Sequence, residues 1–203
     1  MKTSGILFIF SSPSGAGKTS LCRELVGTLS DLHGSVSSTT RQPRSGERDG
    51  VDYHFLSDKK FQEMVEKGKF AEWAQVYGYK YGSLIDEVKR YRNQGIDQIF
   101  TIDVQGAAQL KKKYPEAVSI FILPPSLEIL QLRMKQRGSE DPEEMRRRFE
   151  IARKEIAQKD KYDYIVVNDD FKEALEKLKS IIIAERCRTK KILPEVEELF
   201  DGN

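Results

Sequence analysis

Apolar residues along this chain gather in short blocks, and the spacing inside each block predicts the element it forms. The run Ile6-Leu7-Phe8-Ile9-Phe10 is continuous rather than alternating, the pattern of a strand covered on both faces. A Gly/Ser turn follows, then Leu21, Cys22, Leu25 and Val26 at helical spacing. A second strand is predicted over 35–40, where β-branched and hydroxyl residues crowd together, before a turn-prone stretch over 41–50. Residues 53–56 and 70–76 read as short strands flanking a helix that opens at Ser57 and closes at Gly68. Next come a helix over 84–94 ended by Gly95, a strand over 98–102 that stops at Asp103, and a buried strand over 118–123 halted by Pro124-Pro125. Ser126 is placed to cap a helix carrying Leu127, Leu130 and Met134. After a Gly138-Ser139 link, Asp141-Pro142-Glu143-Glu144 sets up a helix over 146–158, with Asp at the cap and Pro at the first turn. A strand over 164–167, a turn and cap at 168–170 and a helix over 171–188 complete the series, and the stretch after Leu193-Pro194 reads as a loosely attached tail.

Strands alternating with helices predict an α/β fold with a mostly parallel sheet. The aromatic, short-strand stretch over 36–85 breaks that rhythm and reads as a small inserted sheet. At 203 residues, one main domain is expected. No apolar segment approaches the roughly 18 residues that a membrane span needs. The first strand begins so early that a signal peptide has no room, and the expected location is the cytoplasm. Cys22 and Cys187 stand far apart outside any CxxC pattern and read as small buried hydrophobes. A net charge of +2 gives no case for nucleic-acid binding. Eight basic residues nevertheless fall between Arg133 and Lys154, which on composition alone is a solvated helix face.

The chemistry begins at Ser12-Pro13-Ser14-Gly15-Ala16-Gly17-Lys18-Thr19, between the first strand and the first helix. A triphosphate tail needs several backbone N–H groups aimed at one point, a helix N-terminus behind them, a lysine reaching the outer phosphates and a hydroxyl for Mg²⁺. Gly15, Gly17, Lys18 and Thr19 supply these in order. Ser12 stands where the usual loop has its first glycine, so it must keep φ below zero or accept strain. Such a loop alone leaves motors, GTPases, transport ATPases and kinases open.

Further motifs narrow the choice. The run from Ser35 to Arg44, Asp52-Tyr53, Glu72-Trp73, Tyr81-Gly82-Ser83, Asp103-Val104-Gln105-Gly106 and Val167-Asn168-Asp169-Asp170 resemble guanylate kinase in order and spacing, over about residues 5–187. The resemblance implies a P-loop NTPase-type parallel sheet flanked by helices, with a small inserted mixed α+β GMP-binding subdomain and a helical lid. In this chain that means one domain over 1–187, with core 1–35 and 86–187, insertion 36–85, lid about 137–148, and a tail over 188–203. It implies transfer of the ATP γ-phosphoryl group to GMP with Mg²⁺, dGMP being left open as an acceptor, and no nucleic-acid or membrane partner. The oligomeric state is not read from the sequence.

Guanine presents N1–H and its exocyclic amine as adjacent donors, so one carboxylate in bidentate reach, Glu72, suits it and repels adenine's N1. The Ser37 hydroxyl can donate to guanine O6, and the resemblance adds Ser83 and Asp103 to the nucleoside pocket. Arg41 and Arg44, with the hydroxyls of Tyr53 and Tyr81, are assigned by the resemblance to the GMP phosphate, which planar guanidinium forks suit. Arg137 and Arg148 match lid arginines; Arg133, one turn before Arg137, joins them around the transferring group, and Arg146 and Arg147 are solvated neighbours. Ser12 to Thr19 and Asn168 fall to ATP, Thr19 to direct Mg²⁺ ligation, and Asp103 to Mg²⁺ through water. His33, His54 and Trp73 are structural. No general base is required, because a phosphate with its second pKa near 6 is already ionised at neutral pH. The alternatives carried forward are a catalytically inactive guanylate-kinase-like interaction module and a kinase acting on a phosphorylated sugar.

Overall fold

The structure is a computed structural model, and it describes residues 3–136 and 142–201. Its centre is β1 (Leu7–Ser11), every residue of which is buried, as expected of a strand sandwiched between helical layers. β1 joins β2 (Leu32–Gly34), β7 (Asp97–Thr101), β8 (Val118–Leu123) and β9 (Tyr164–Val167) in one parallel sheet of order β2-β7-β1-β8-β9. On one face α1 (Lys18–Thr28) and α7 (Phe171–Arg186) bury Leu21, Leu25, Leu178 and Ile182 against Phe8, Phe10 and Ile120. On the other, α3 (Ile85–Asn93) and α4 (Val104–Lys113) bury Val88, Ala107 and Leu110 against Leu7, Ile9 and Phe100. At the end opposite the loop, the Ile6 amide and Arg186 Nε both donate to the buried Asp97 carboxylate, at 2.6 and 2.7 Å.

A second sheet, of order β4-β3-β6-β5, is formed by β3 (Ser38–Thr39), β4 (His54–Phe55), β5 (Phe70–Val76) and β6 (Tyr79–Leu84). It is backed by α2 (Asp58–Glu66), whose Ser57 cap accepts from the Lys60 amide. α5 (Leu127–Gln136) and α6 (Pro142–Ile156) share a small core of Leu130, Met134 and Ala152.

The α/β class and parallel sheet agree with the sequence reading, and several local elements differ from it. The strand predicted over 35–40 shrinks to Ser38–Thr39, while the short edge strand β2 precedes it in the main sheet. β6 and α4 were not anticipated, and the helix expected from 84 begins at Ile85. Residues beyond the closing helix form α8 (Thr189–Asp201) with Pro194 inside it, where a tail was expected. Lys191 Nζ donates to the Ser4 carbonyl, and Thr3 Oγ1 to Glu195 at 2.8 Å, which ties α8 to the chain start. Cys22 is buried as expected, whereas Cys187 is exposed because it caps α7 beyond its last buried turn. Asp141 and the Gly138-Ser139 link lie outside the described residues.

Candidate active site

In a parallel sheet the carboxyl ends of neighbouring strands point the same way, so the residues just after them converge. β1 leads there into the glycine-rich loop, β7 into Ile102 and Asp103, and β9 into Asn168. The first two border a cavity of about 270 Å³ that continues under β5 and β6 of the second sheet.

The loop's shape rests on Gly15 and Gly17, at φ of 96° and 91°, in the left-handed region that other residues avoid. Space makes the same demand, since a Cβ on Gly17 would lie 2.4 Å from Asn168 Nδ2. That nitrogen donates to the Ala16 carbonyl at 2.8 Å, so the buried Asn168 supports the loop from β9. Asp31 and Tyr77 are the non-glycine residues with positive φ among those described; Ser12 therefore keeps ordinary backbone and carries no strain. Gly17 gives α1 no side-chain cap, and the first turn holds no acidic residue, which leaves its amides to an anion. Lys18 opens this helix and donates to the Ile102 carbonyl at 3.0 Å. Desolvation pulls its ammonium below the usual lysine range, with Cys22, Glu155 and Asp103 opposing. Thr19, next on the helix, is exposed.

α5 and α6 bring arginines to the same place. Arg148 Nη2 donates to Ser14 Oγ at 3.0 Å and its guanidinium lies 5.6 Å from the Tyr77 ring centre. Arg133 Nη1 donates to the Asn168 carbonyl at 3.1 Å. Arg137 lies outside the described residues. Glu155, which the sequence did not single out, lines the cavity with Lys18, and its Oε2 is buried with no hydrogen-bond partner among the described residues. Burial pushes its carboxyl to about 7, against the pull of Lys18.

The second sheet supplies side chains rather than amides. β5 pairs with β6 through a register shift between Phe70 and Glu72, a bulge that re-aims the strand. Phe70 and Trp73 consequently both pack on Phe61 of α2, with ring centres 4.5 and 6.3 Å away, while Glu72, Ala74 and Val76 line the cavity. Glu72 is only 3% exposed, and Ser83 Oγ donates to its Oε1 at 2.7 Å. Desolvation raises its pKa to about 7; Ser83 opposes that rise and the charge of Asp103 adds to it. Ser83 itself is fully buried behind Glu72. Asp103 caps α4, its Oδ1 accepting from the Gly106 amide at 2.9 Å and its Oδ2 from Gln105 at 3.1 Å.

Ser37, Tyr53 and Tyr81 line the same cavity, the two phenol rings 5.9 Å apart and meeting edge-on at 65°. Arg41 lies over Tyr53, 5.4 Å from its centre, but its Nη2 donates to Glu47 at 2.8 Å. Glu47 also accepts from the Arg44 amide, which holds the 41–47 turn closed while the Arg44 residue stays exposed. The structure thus brings the loop, Ser37, Tyr53, Glu72, Tyr81 and Asp103 to one cavity, sets Ser83 and Asn168 behind it, and holds Arg41 against Glu47. Glu47, Tyr77 and Glu155 were missed. Tyr77-Gly78, both at positive φ, is a two-residue hairpin turn, and that turn was the available signal for Tyr77.

The family profile described as Guanylate kinase matches residues 4–185. The chain is 52% identical over 201 residues to a guanylate kinase of Geobacter metallireducens, covering 99% of each, and 48% identical over 188 residues to one of Caldanaerobacter subterraneus, covering 93% of this chain and 91% of that one. A crystal structure of guanylate kinase from Anaplasma phagocytophilum superposes with a TM-score of 0.81 at 31% identity, covering 98% of this chain and 97% of that one.

Proposed function

The chain belongs to the guanylate kinase family and is an ATP-dependent nucleoside monophosphate kinase, and from that premise we infer how its residues divide the reaction ATP + GMP = ADP + GDP. The observation that carries the division is Glu72, a carboxylate withdrawn from water, oriented by Ser83, and lining one cavity with the phosphate loop.

The loop amides, with Lys18, hold the β- and γ-phosphates of ATP, and Asn168 keeps the loop in shape. Glu72 accepts from guanine N1–H and the exocyclic amine, Ser37 donates to O6, and Asp103 completes the nucleoside side. Ser83 acts through Glu72. The GMP phosphate enters beside Tyr53 and Tyr81 and draws Arg41 from Glu47, joined by Arg44. Its ionised oxygen attacks the γ-phosphorus in line, and the Pγ–O bond to ADP breaks as the new bond forms. Thr19 and Asp103 are hard oxygen donors near the loop and would hold Mg²⁺ with the triphosphate, Asp103 through water, because its carboxylate already caps α4. That ion would supply charge neutralisation. Arg133, Arg137 and Arg148 close on the transferring group, as Arg148 already reaches Ser14.

The division into core 1–35 and 86–187, insertion 36–85 and lid about 137–148 follows from these roles: insertion and lid close on the core and exclude water, which would otherwise hydrolyse ATP. Cytoplasmic purine metabolism is the setting this chemistry fits. Among the described residues no helix is long and apolar enough to cross a membrane. The test is an ADP-release assay with Mg-ATP and, separately, GMP, dGMP, AMP, CMP and UMP. Fast turnover confined to guanine acceptors is expected. Comparable turnover of AMP would remove Glu72 from the role of base reader.

A further inference from the structure

α4 packs on β5, the strand that carries Glu72, and two of its residues, Gln109 and Gly106, meet the strand beside that carboxylate. Gln109 grips the main chain next to Glu72: the Trp73 amide donates to Gln109 Oε1 at 3.2 Å, and Gln109 Nε2 donates to the Trp73 carbonyl at 2.7 Å. One turn earlier stands Gly106, buried in the first turn of the helix. Glycine is a poor helix former, and Gly106 is absent from the glycines at positive φ, so its backbone makes no demand for glycine. Space does. A Cβ at Gly106 would lie 2.4 Å from Glu72 Oε2, 3.2 Å from its Cδ and 3.3 Å from Asp103 Oδ1. The missing methyl is a notch in which one carboxylate oxygen rests, while Ser83 holds the other.

We propose that Gly106 is a specificity-determining positioning residue: its notch, with β5 held in register by Gln109, sets the plane of the Glu72 carboxylate and so the discrimination between guanine and a purine lacking the exocyclic amine. This rests on the reading that Glu72 accepts from the base. An added methyl need not break the fold, because the atom it meets is the end of a side chain. Gln109 stops the strand from backing away, so the carboxylate must turn. A turned carboxylate keeps one of its two contacts with guanine and loses the geometry for both.

The experiment compares kcat and KM for GMP and IMP, with saturating Mg-ATP, in the wild type and in Gly106→Ala, Glu72→Gln and Gln109→Ala. Gly106→Ala is expected to lower the GMP-to-IMP ratio of kcat/KM by about tenfold or more, mostly through a raised KM for GMP, with the KM for ATP and the melting temperature held or raised. A purely structural role would depress GMP and IMP equally. If Glu72→Gln lowers the ratio and Gly106→Ala does not, the proposal is overturned and the base-reading role stands. If Glu72→Gln leaves the ratio unchanged, that role fails first. Should Gly106→Ala not fold, Gln109→Ala, on an exposed residue, carries the test: a several-fold loss of the ratio supports the proposal, and an unchanged ratio overturns it.

Discussion

At one end of the cavity the lining is a single run of eight residues between β1 and α1, proposed to bind through main-chain amides; at the other it is side chains drawn from several segments between Ser37 and Asp103, proposed to read the base. The first arrangement follows from local rules, two glycines and a helix start, and no replacement other than by proline removes an amide. The second exists only when a bulge turns Glu72 inward, Ser83 backs it and α4 presses on it. One end is therefore robust and generic, and the other is fragile and selective.

Replacing one group at each end should separate the two. Lys18→Ala is expected to cut kcat by about 10²–10³-fold while GMP affinity, measured by calorimetry, stays within about twofold. Equal loss of both would mean that the ends are not independent. Glu72→Gln should lower kcat/KM for GMP by about ten- to a hundredfold with little change in the KM for ATP, since a buried acceptor is exchanged for a group that also donates. Acidity probes the same carboxyl. With its pKa raised to about 7, Glu72 is protonated below that pH, and in the proposed base-reading role it must lose the proton to accept both guanine donors. The affinity for guanosine, which carries no phosphate, should then weaken as pH falls below 7, approaching about tenfold per pH unit, and Glu72→Gln should flatten the profile. Asn168→Ala, which removes the bond to Ala16, should raise the KM for ATP about fivefold and leave that for GMP unchanged. The smallest effect is expected of Glu47→Gln, which frees Arg41 and should tighten GMP by no more than about threefold.

The same contrast explains what could be read from the chain. The loop, α1, β8 and the strand over Phe70–Val76 were legible because each is specified by its own residues. β6 was not, since Tyr79-Lys80-Tyr81-Gly82-Ser83-Leu84 has a strand's meaning only opposite β5, where Gly82 leaves room for Phe70 and Trp73. β2 offers three residues, one of them buried, too few for a pattern. α4 hid behind Asp103, read as a strand end although it is equally a cap. Glu155 was lost among the charges of α6, because burial that raises a carboxyl to about 7 is a property of packing. The pairing of Arg41 with Glu47 likewise forms across a turn whose closure the sequence does not announce.

Trp73 stands next to the Glu72 carboxylate with its peptide pinned to α4 and its indole against Phe61, about a third of it in water, and it is the chain's single tryptophan. The protein therefore carries its own optical gauge. Emission excited through the indole should track occupancy of the base end and stay silent as the triphosphate end fills, so that the order in which two nucleotides arrive can be followed on the unlabelled chain.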